Sequence, residues 1–289
     1  MILTRRDPMT RPEVHAPFAL IVGRAVADDA LEGVMRRMGL RPDAARAGGL
    51  PLQLTLGGLT VTIDRAAPDD FALADPGDVA TSSLGTPLPA DWRDAGGSWI
   101  VRSARRDGIA AAQFDTLFQM IVLLIDAFDA DHIFWSPARL WTDARQFRGA
   151  IAEMQTSGMP PVLHLIAFRR RDGAADPHVA TRGLAAFAGQ ELDAAVPPGW
   201  DMAAMVKRLA RLALDIMLHG PVVQPQQTPG LQAGEWVALT PQGDARDGPA
   251  AVLVEFSFDR CWAGALRPIR PDAAGPAPRP PKRDISATT

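Results

Sequence analysis

Arginine and hydroxyl residues gather where three apolar segments of this chain end. Arg102 and Arg105 lie at the end of Trp99–Ser103, Ser136 and Arg139 follow His132–Trp135, and Arg169 follows Val162–Phe168. If the three segments are parallel strands of one open sheet, these groups meet on one edge, around Trp135, where α/β sheets hold their ligands. The chemistry on offer is anion recognition. Guanidinium groups bond carboxylates and phosphates two-pronged, Trp135 adds a planar apolar wall, and His132 is a candidate acid–base group. The same residues also have a plainer reading. Trp135 and Trp141 pack a strand–helix corner, Ser136 and Arg139 satisfy backbone groups, and the other arginines are solvated strand ends or partners of nearby aspartates.

Other chemistries find less support in the chain. There is no Gly-x-Ser-x-Gly elbow, and Ser98 in Gly96-Gly97-Ser98-Trp99 does not make one. Cys261 is the single cysteine and stands beside Trp262 with no readable partner. His15, His132, His164, His178 and His219 are scattered, with no pair at i, i+4, so no metal site is expected. Gly23 is not followed by the glycines of a dinucleotide fingerprint, and no Walker pattern occurs, so no cofactor is expected either.

Composition narrows the classes further. The 289 residues are 47% apolar and 22% charged, as in ordinary globular proteins. A net charge of −3 disfavours nucleic acid as a partner. One cysteine permits no internal disulfide and suits a reducing cytoplasm. Residues 1–17 lack the apolar core of a signal peptide, and the most apolar run, Met120–Ile125, is far below the about 20 residues that span a bilayer. Lys207 and Lys282 are the only lysines among 30 basic residues. Arginine is therefore the default cation here, so its position says more than its abundance.

The elements that must position these groups follow from periodicity. Phe18–Val22 is an apolar strand, and Asp28 caps a helix to Met38. In Leu52–Ile63, leucine alternates with polar residues, Gly57-Gly58 turns the chain, and apolar alternation resumes. A tight hairpin follows, with Leu56 facing Leu59, Leu54 facing Val61 and Leu52 facing Ile63. Residues 66–94, rich in Pro, Asp, Gly and Ser, read as a connection. Phe114–Phe128 is a deeply buried helix. Thr142 caps a second helix through Met154, and Val162–Phe168 is an interior strand. Leu184–Phe187 and Glu191–Val196 read as extended, Asp201 caps a helix to His219, and Glu235–Leu239 and Ala251–Phe258 form a last hairpin. Residues 263–289 read as a disordered tail, rich in Pro, Ala and Arg from Ile269. The expected fold is α+β: a mixed β-sheet with helices mainly on one face. It has two linked halves, an 18–63 module and a 99–258 core, joined by the 64–98 connection.

Within Thr181–Asp193 the chain resembles the bacterial domain-of-unknown-function 4261 family. Thr181, Gly183, Leu184, Phe187, Gly189 and Glu191 fit its pattern, and the helix to Gly220 follows as in the family. Pro87-Leu88-Pro89-Ala90-Asp91-Trp92 before Trp99–Ser103 is similar to its proline-rich step, and Phe134-Trp135-Ser136 to its aromatic strand end. Arg182 departs from it, standing between Thr181 and Gly183. The resemblance implies an α+β bacterial protein tied to toxin immunity or intercellular competition, and it carries no catalytic residues. Together with the missing catalytic constellation, it favours a non-enzymatic cytoplasmic binding protein. The partner would be a protein, such as a toxin or secretion-system component, and not a membrane. An enzyme or small-anion binder at the arginine-rich strand ends is the alternative.

Overall fold

The computed structural model describes residues 17–42, 50–93, 97–104, 109–171, 177–243 and 249–258. Arg105, Cys261 and the tail from residue 263 lie outside them. In chain order the first part holds β1 (Phe18–Val22), α1 (Asp28–Arg37), β2 (Leu52–Leu56), β3 (Leu59–Arg65), α2 (Pro68–Leu73), β4 (Ser82–Ser83), β5 (Ser98–Ser103), α3 (Phe114–Phe128), β6 (His132–Trp135), β7 (Leu140–Asp143) and α4 (Ala144–Ser157). The second part holds α5 (Val162–Leu165), β8 (Ala167–Arg171), β9 (His178–Arg182), α6 (Ala185–Ala188), β10 (Gln190–Ala195), α7 (Met202–His219), β11 (Gln226–Pro229), β12 (Trp236–Pro241) and β13 (Ala250–Ser257).

The fold is α+β with two mixed sheets. One has seven strands in the order β2-β3-β5-β1-β6-β7-β4, the other six in the order β11-β12-β13-β10-β9-β8. Among the described residues, all pairings are antiparallel except β4 with β7 and β10 with β13. The β2–β3 hairpin has the expected register, Leu52 opposite Ile63, Leu54 opposite Val61 and Leu56 opposite Leu59. One continuous core joins the inner faces of both sheets to α1, α3, α4 and α7. Nine of the fifteen residues of α3 are buried in it.

Several expectations need correction. Val162–Phe168 is not one strand. Its first half is the single-turn helix α5; the backbone extends at Ile166 and joins the six-stranded sheet from Ala167. Leu163 is half exposed while Val162, Leu165 and Ile166 are buried, a helical spacing that a short apolar run hides. The three segments therefore do not share a sheet. β5 and β6 do run the same way, but β1 lies antiparallel between them. The second helix of this region is capped by Asp143, which accepts from the amides of Arg145 and Gln146, while Thr142 belongs to β7. The residue before α1 is Ala27, with no side-chain cap. Leu184–Phe187 is not extended but runs into the short helix α6. Strands β5, β6 and β7 complete the sheet begun by β1, β2 and β3, so the change from one sheet to the other falls between Asp143 and Ala167.

Residues 66–93, which read as a connection, form a strap over the second face of the seven-stranded sheet. Phe18, Leu20 and Val22 of β1, Ile100 of β5, Phe134 of β6 and Trp141 of β7 point to that face and bury Ala74 and Trp92. Trp92 meets Trp141 edge-on at 5.3 Å and Phe71 at 5.2 Å. Burying a side chain of this size stabilises by about 1.5–3 kcal/mol. The strap is thus a packed part of the fold.

Candidate functional site

The arginines of the sheet ends meet the strap. Along β1, Phe18 stands opposite Arg102 on one side, and its amide donates to Ser136 Oγ on the other at 2.8 Å. Arg102 and Ser136 therefore do share one edge. Arg102 lies over the Phe18 ring at 5.3 Å and pairs with Asp70 of α2, a buried carboxylate that also accepts from the amide of Ala67 at 2.9 Å.

Arg139 stands in the turn between β6 and β7 and is 8% exposed. Its Nη2 donates to Asp78 Oδ2 at 2.5 Å and to Thr81 Oγ1 at 3.1 Å. Its backbone carbonyl accepts from the amide of Ser82 at 2.9 Å. Arg169 of β8 donates to the carbonyls of Val79 and Ala80, and Arg182 of β9 reaches the same Ala80 carbonyl at 3.3 Å. Three guanidinium groups, from a hairpin turn and two strands of the other sheet, thus converge on residues 78–81.

The loop is held from within as well. Asp78 Oδ1 accepts from the amide of Ala80 at 2.8 Å, and the amide of Thr81 donates to the Asp78 carbonyl at 2.8 Å. The Ala80 amide first and Arg139 second hold the Asp78 carboxyl below its ordinary value. Arg182 is shifted down by burial and by the neighbouring charges of Arg139 and Arg169, a sign of crowded positive charge. Val79, at the tip, is 90% exposed.

The remaining candidates lie elsewhere. Trp135 is 1% exposed and packs against Phe114 and Phe118 in the main core, on the face opposite Phe18. It cannot be the wall of an open site. His132 begins β6, three residues and roughly 10 Å from Trp135, and its Nε2 meets Thr86 Oγ1 at 3.2 Å. It fastens the far end of the strap, away from Arg139. Arg105 lies outside the described residues. Of the seven residues, the structure brings Arg139 and Arg169 together on one loop and places Arg102 and Ser136 nearby along β1.

The residues that complete the site are Asp70, Asp78, Thr81 and Arg182. The aspartates stand 32 and 61 residues from their arginines, so no local pattern points to them. Only the acidic composition of 66–94 beside a set of strand-end arginines could have suggested the pairing.

The Thr181–Glu191 motif has a clear structural meaning. Glu191 accepts from Thr181 Oγ1 and from the amides of Gly183, Leu184 and Ala185, wrapping the start of α6. Burial pushes its carboxyl up against the pull of those bonds. The motif fixes the corner that follows Arg182.

Among the described residues, no group of three His, Cys, Asp or Glu side chains could hold a metal ion, and no helix is long and apolar enough to cross a membrane. Comparison with protein-family models, with curated proteins and with solved structures gave no match.

Proposed function

We propose that this chain is a non-enzymatic binding protein that recognises another protein through the strap, with Val79 as the anchor. One observation carries this reading: an apolar side chain, 90% exposed, stands on a loop whose backbone is pinned by guanidinium groups from below. Fixing the backbone of a mobile loop costs roughly 1–2 kcal/mol for each residue it orders on binding. Pins that are already in place remove much of that cost. The crowded positive charge beneath the tip suits a partner whose apolar pocket is rimmed by carboxylates.

The immunity-like role implied by the resemblance fits this reading, with a toxin or secretion-system component as partner in the cytoplasm. The strand-end arginines are less suited to a free anion or a substrate, because Arg102 and Arg139 already hold Asp70 and Asp78.

A photo-crosslinking residue at position 79 tests the proposal in extract of the native host. Position 223, where Val223 is 82% exposed, serves as control. A discrete protein adduct from position 79 and none from position 223 supports it. Equal adducts from both positions, or none, refute it.

A further inference from the structure

A second part of the strap forms a groove of about 430 Å³. Pro76, Pro87, Leu88 and Pro89 wall it, and Trp92 lies at its floor, 5% exposed. Polyproline-II ligands dock in grooves that present aromatic side chains, and their stiff backbone loses little entropy on binding; here the aromatic is Trp92.

The groove also has a charge. Residues 66–93 carry Asp69, Asp70, Asp75, Asp78 and Asp91; Arg102, Arg93 and Arg139 pair with Asp70, Asp75 and Asp78, so Asp69 and Asp91 set the remaining negative balance. Asp75 precedes Pro76 and Asp91 precedes Trp92, so carboxylates border the groove on both limbs of the strap. Arg93 already lays its guanidinium over the Trp92 ring at 4.9 Å and pairs with Asp75 at 3.1 Å. Rim and floor therefore suit a guanidinium set among prolines.

This chain contains such a ligand. Residues 276–283 read Pro-Ala-Pro-Arg-Pro-Pro-Lys-Arg, four prolines and three cations in eight residues. We propose that the groove is the docking site of this segment, Pro276–Arg283, within the same molecule. The 17 residues 259–275 that link it to Phe258 have a maximum reach of roughly 60 Å. A compact chain of this length has a radius of gyration of about 19 Å, so the segment has the reach. Opposite charge guides it, and apolar contact with Pro87, Leu88 and Pro89 holds it. Pro76 and Ser83 of the groove flank the Val79 loop, but Val79 itself does not line it, and the inference does not rest on the anchor assigned there.

The test uses the full chain with Cys261→Ser and a nitroxide on Ala277→Cys, and reads the indole signals of the tryptophans. The expected result is loss of the Trp92 signal. It should return when Arg279, Lys282 and Arg283 are all replaced by Glu, and when free peptide of sequence 276–283 is added in excess. An unaffected Trp92 signal overturns the proposal, as does a loss that survives charge reversal. A sample mixing nitroxide-bearing chains with isotope-labelled chains lacking the nitroxide reports a second copy as occupant. Loss of Trp92 in that mixture also overturns the intramolecular assignment.

Discussion

Replacing Gly183 with alanine tests how the two sheets hold the arginine-pinned loop together. Gly183 follows Arg182 and has φ +105°, a backbone region that L side chains rarely adopt. A β-carbon there would stand 2.8 Å from the Leu165 carbonyl oxygen and 3.0 Å from the Ala138 side chain. Both neighbours are short or backbone, so neither can swing aside. Leu165 leads into β8, and Ala138 precedes Arg139, so the clash falls between the elements that carry Arg139, Arg169 and Arg182. Backbone strain at such a position costs about 1–3 kcal/mol, and overpacking adds about 1–3 kcal/mol. Gly183→Ala should therefore destabilise the protein by about 2–6 kcal/mol. Gly189→Ala is the control, since its φ is +72° and nothing lies within 4 Å of its added β-carbon. It should cost only the strain, so the difference between the variants isolates the contact at about 1–3 kcal/mol. Urea unfolding followed by tryptophan fluorescence measures both, and the slopes should match wild type. Equal losses in the two variants would refute the close-packed junction, and a neutral Gly183→Ala would refute the strain as well.

Three further outcomes follow from the same geometry. Arg139 has φ +46°, and a side chain in the left-handed region costs roughly 1–2 kcal/mol. Arg139→Gly should therefore unfold at higher urea than Arg139→Ala, although both lose the bonds to Asp78 and Thr81. Glu191→Gln leaves one of the Gly183, Leu184 and Ala185 amides without its acceptor and should cost about 1–3 kcal/mol at neutral pH. Because burial raises the Glu191 carboxyl above its ordinary 4.5, its titration favours the fold at low pH and loses that contribution as pH rises through the elevated folded value; stability measured against pH should show this slope in wild type and not in the glutamine variant. His164 has the opposite sign. Burial lowers its pKa below 6.5, so its contribution is complete above 6.5 and is lost as pH falls toward the folded value, a loss that His164→Phe should abolish in acid unfolding curves.

What was legible in the sequence was what is local. The β2–β3 register follows from alternation around Gly57-Gly58, and α7 follows from its apolar stripe and the Asp201 cap, whose carboxylate accepts from the Ala204 amide. Val162–Phe168 misled because four apolar residues on one helical turn and four on a buried strand look alike. The strap was illegible for a different reason. Its anchors are tertiary: Trp141 Nε1 donates to the Ala74 carbonyl across 67 residues, and Arg169 to the Ala80 carbonyl across 89. The strand-end arginines stand out by position, but in a chain whose cations are nearly all arginine nothing marks their partners as the chain's own loop. Trp135 shows the limit of that reasoning, since strand alternation turns it into the core while its neighbour Ser136 bonds the edge.

In the proposed function, Arg139, Arg169 and Arg182 pre-organise the Val79 loop for a protein partner. The most direct test compares crosslinking from position 79 in wild type and in Arg169→Ala, with thermal unfolding confirming that both are folded. Arg169 donates to the carbonyls of both Val79 and Ala80, so its loss frees the tip while leaving Val79 in place. The account predicts a discrete adduct in wild type that falls sharply in Arg169→Ala at an unchanged unfolding temperature. An adduct of undiminished yield in the variant, or no adduct from position 79 in wild type, contradicts it.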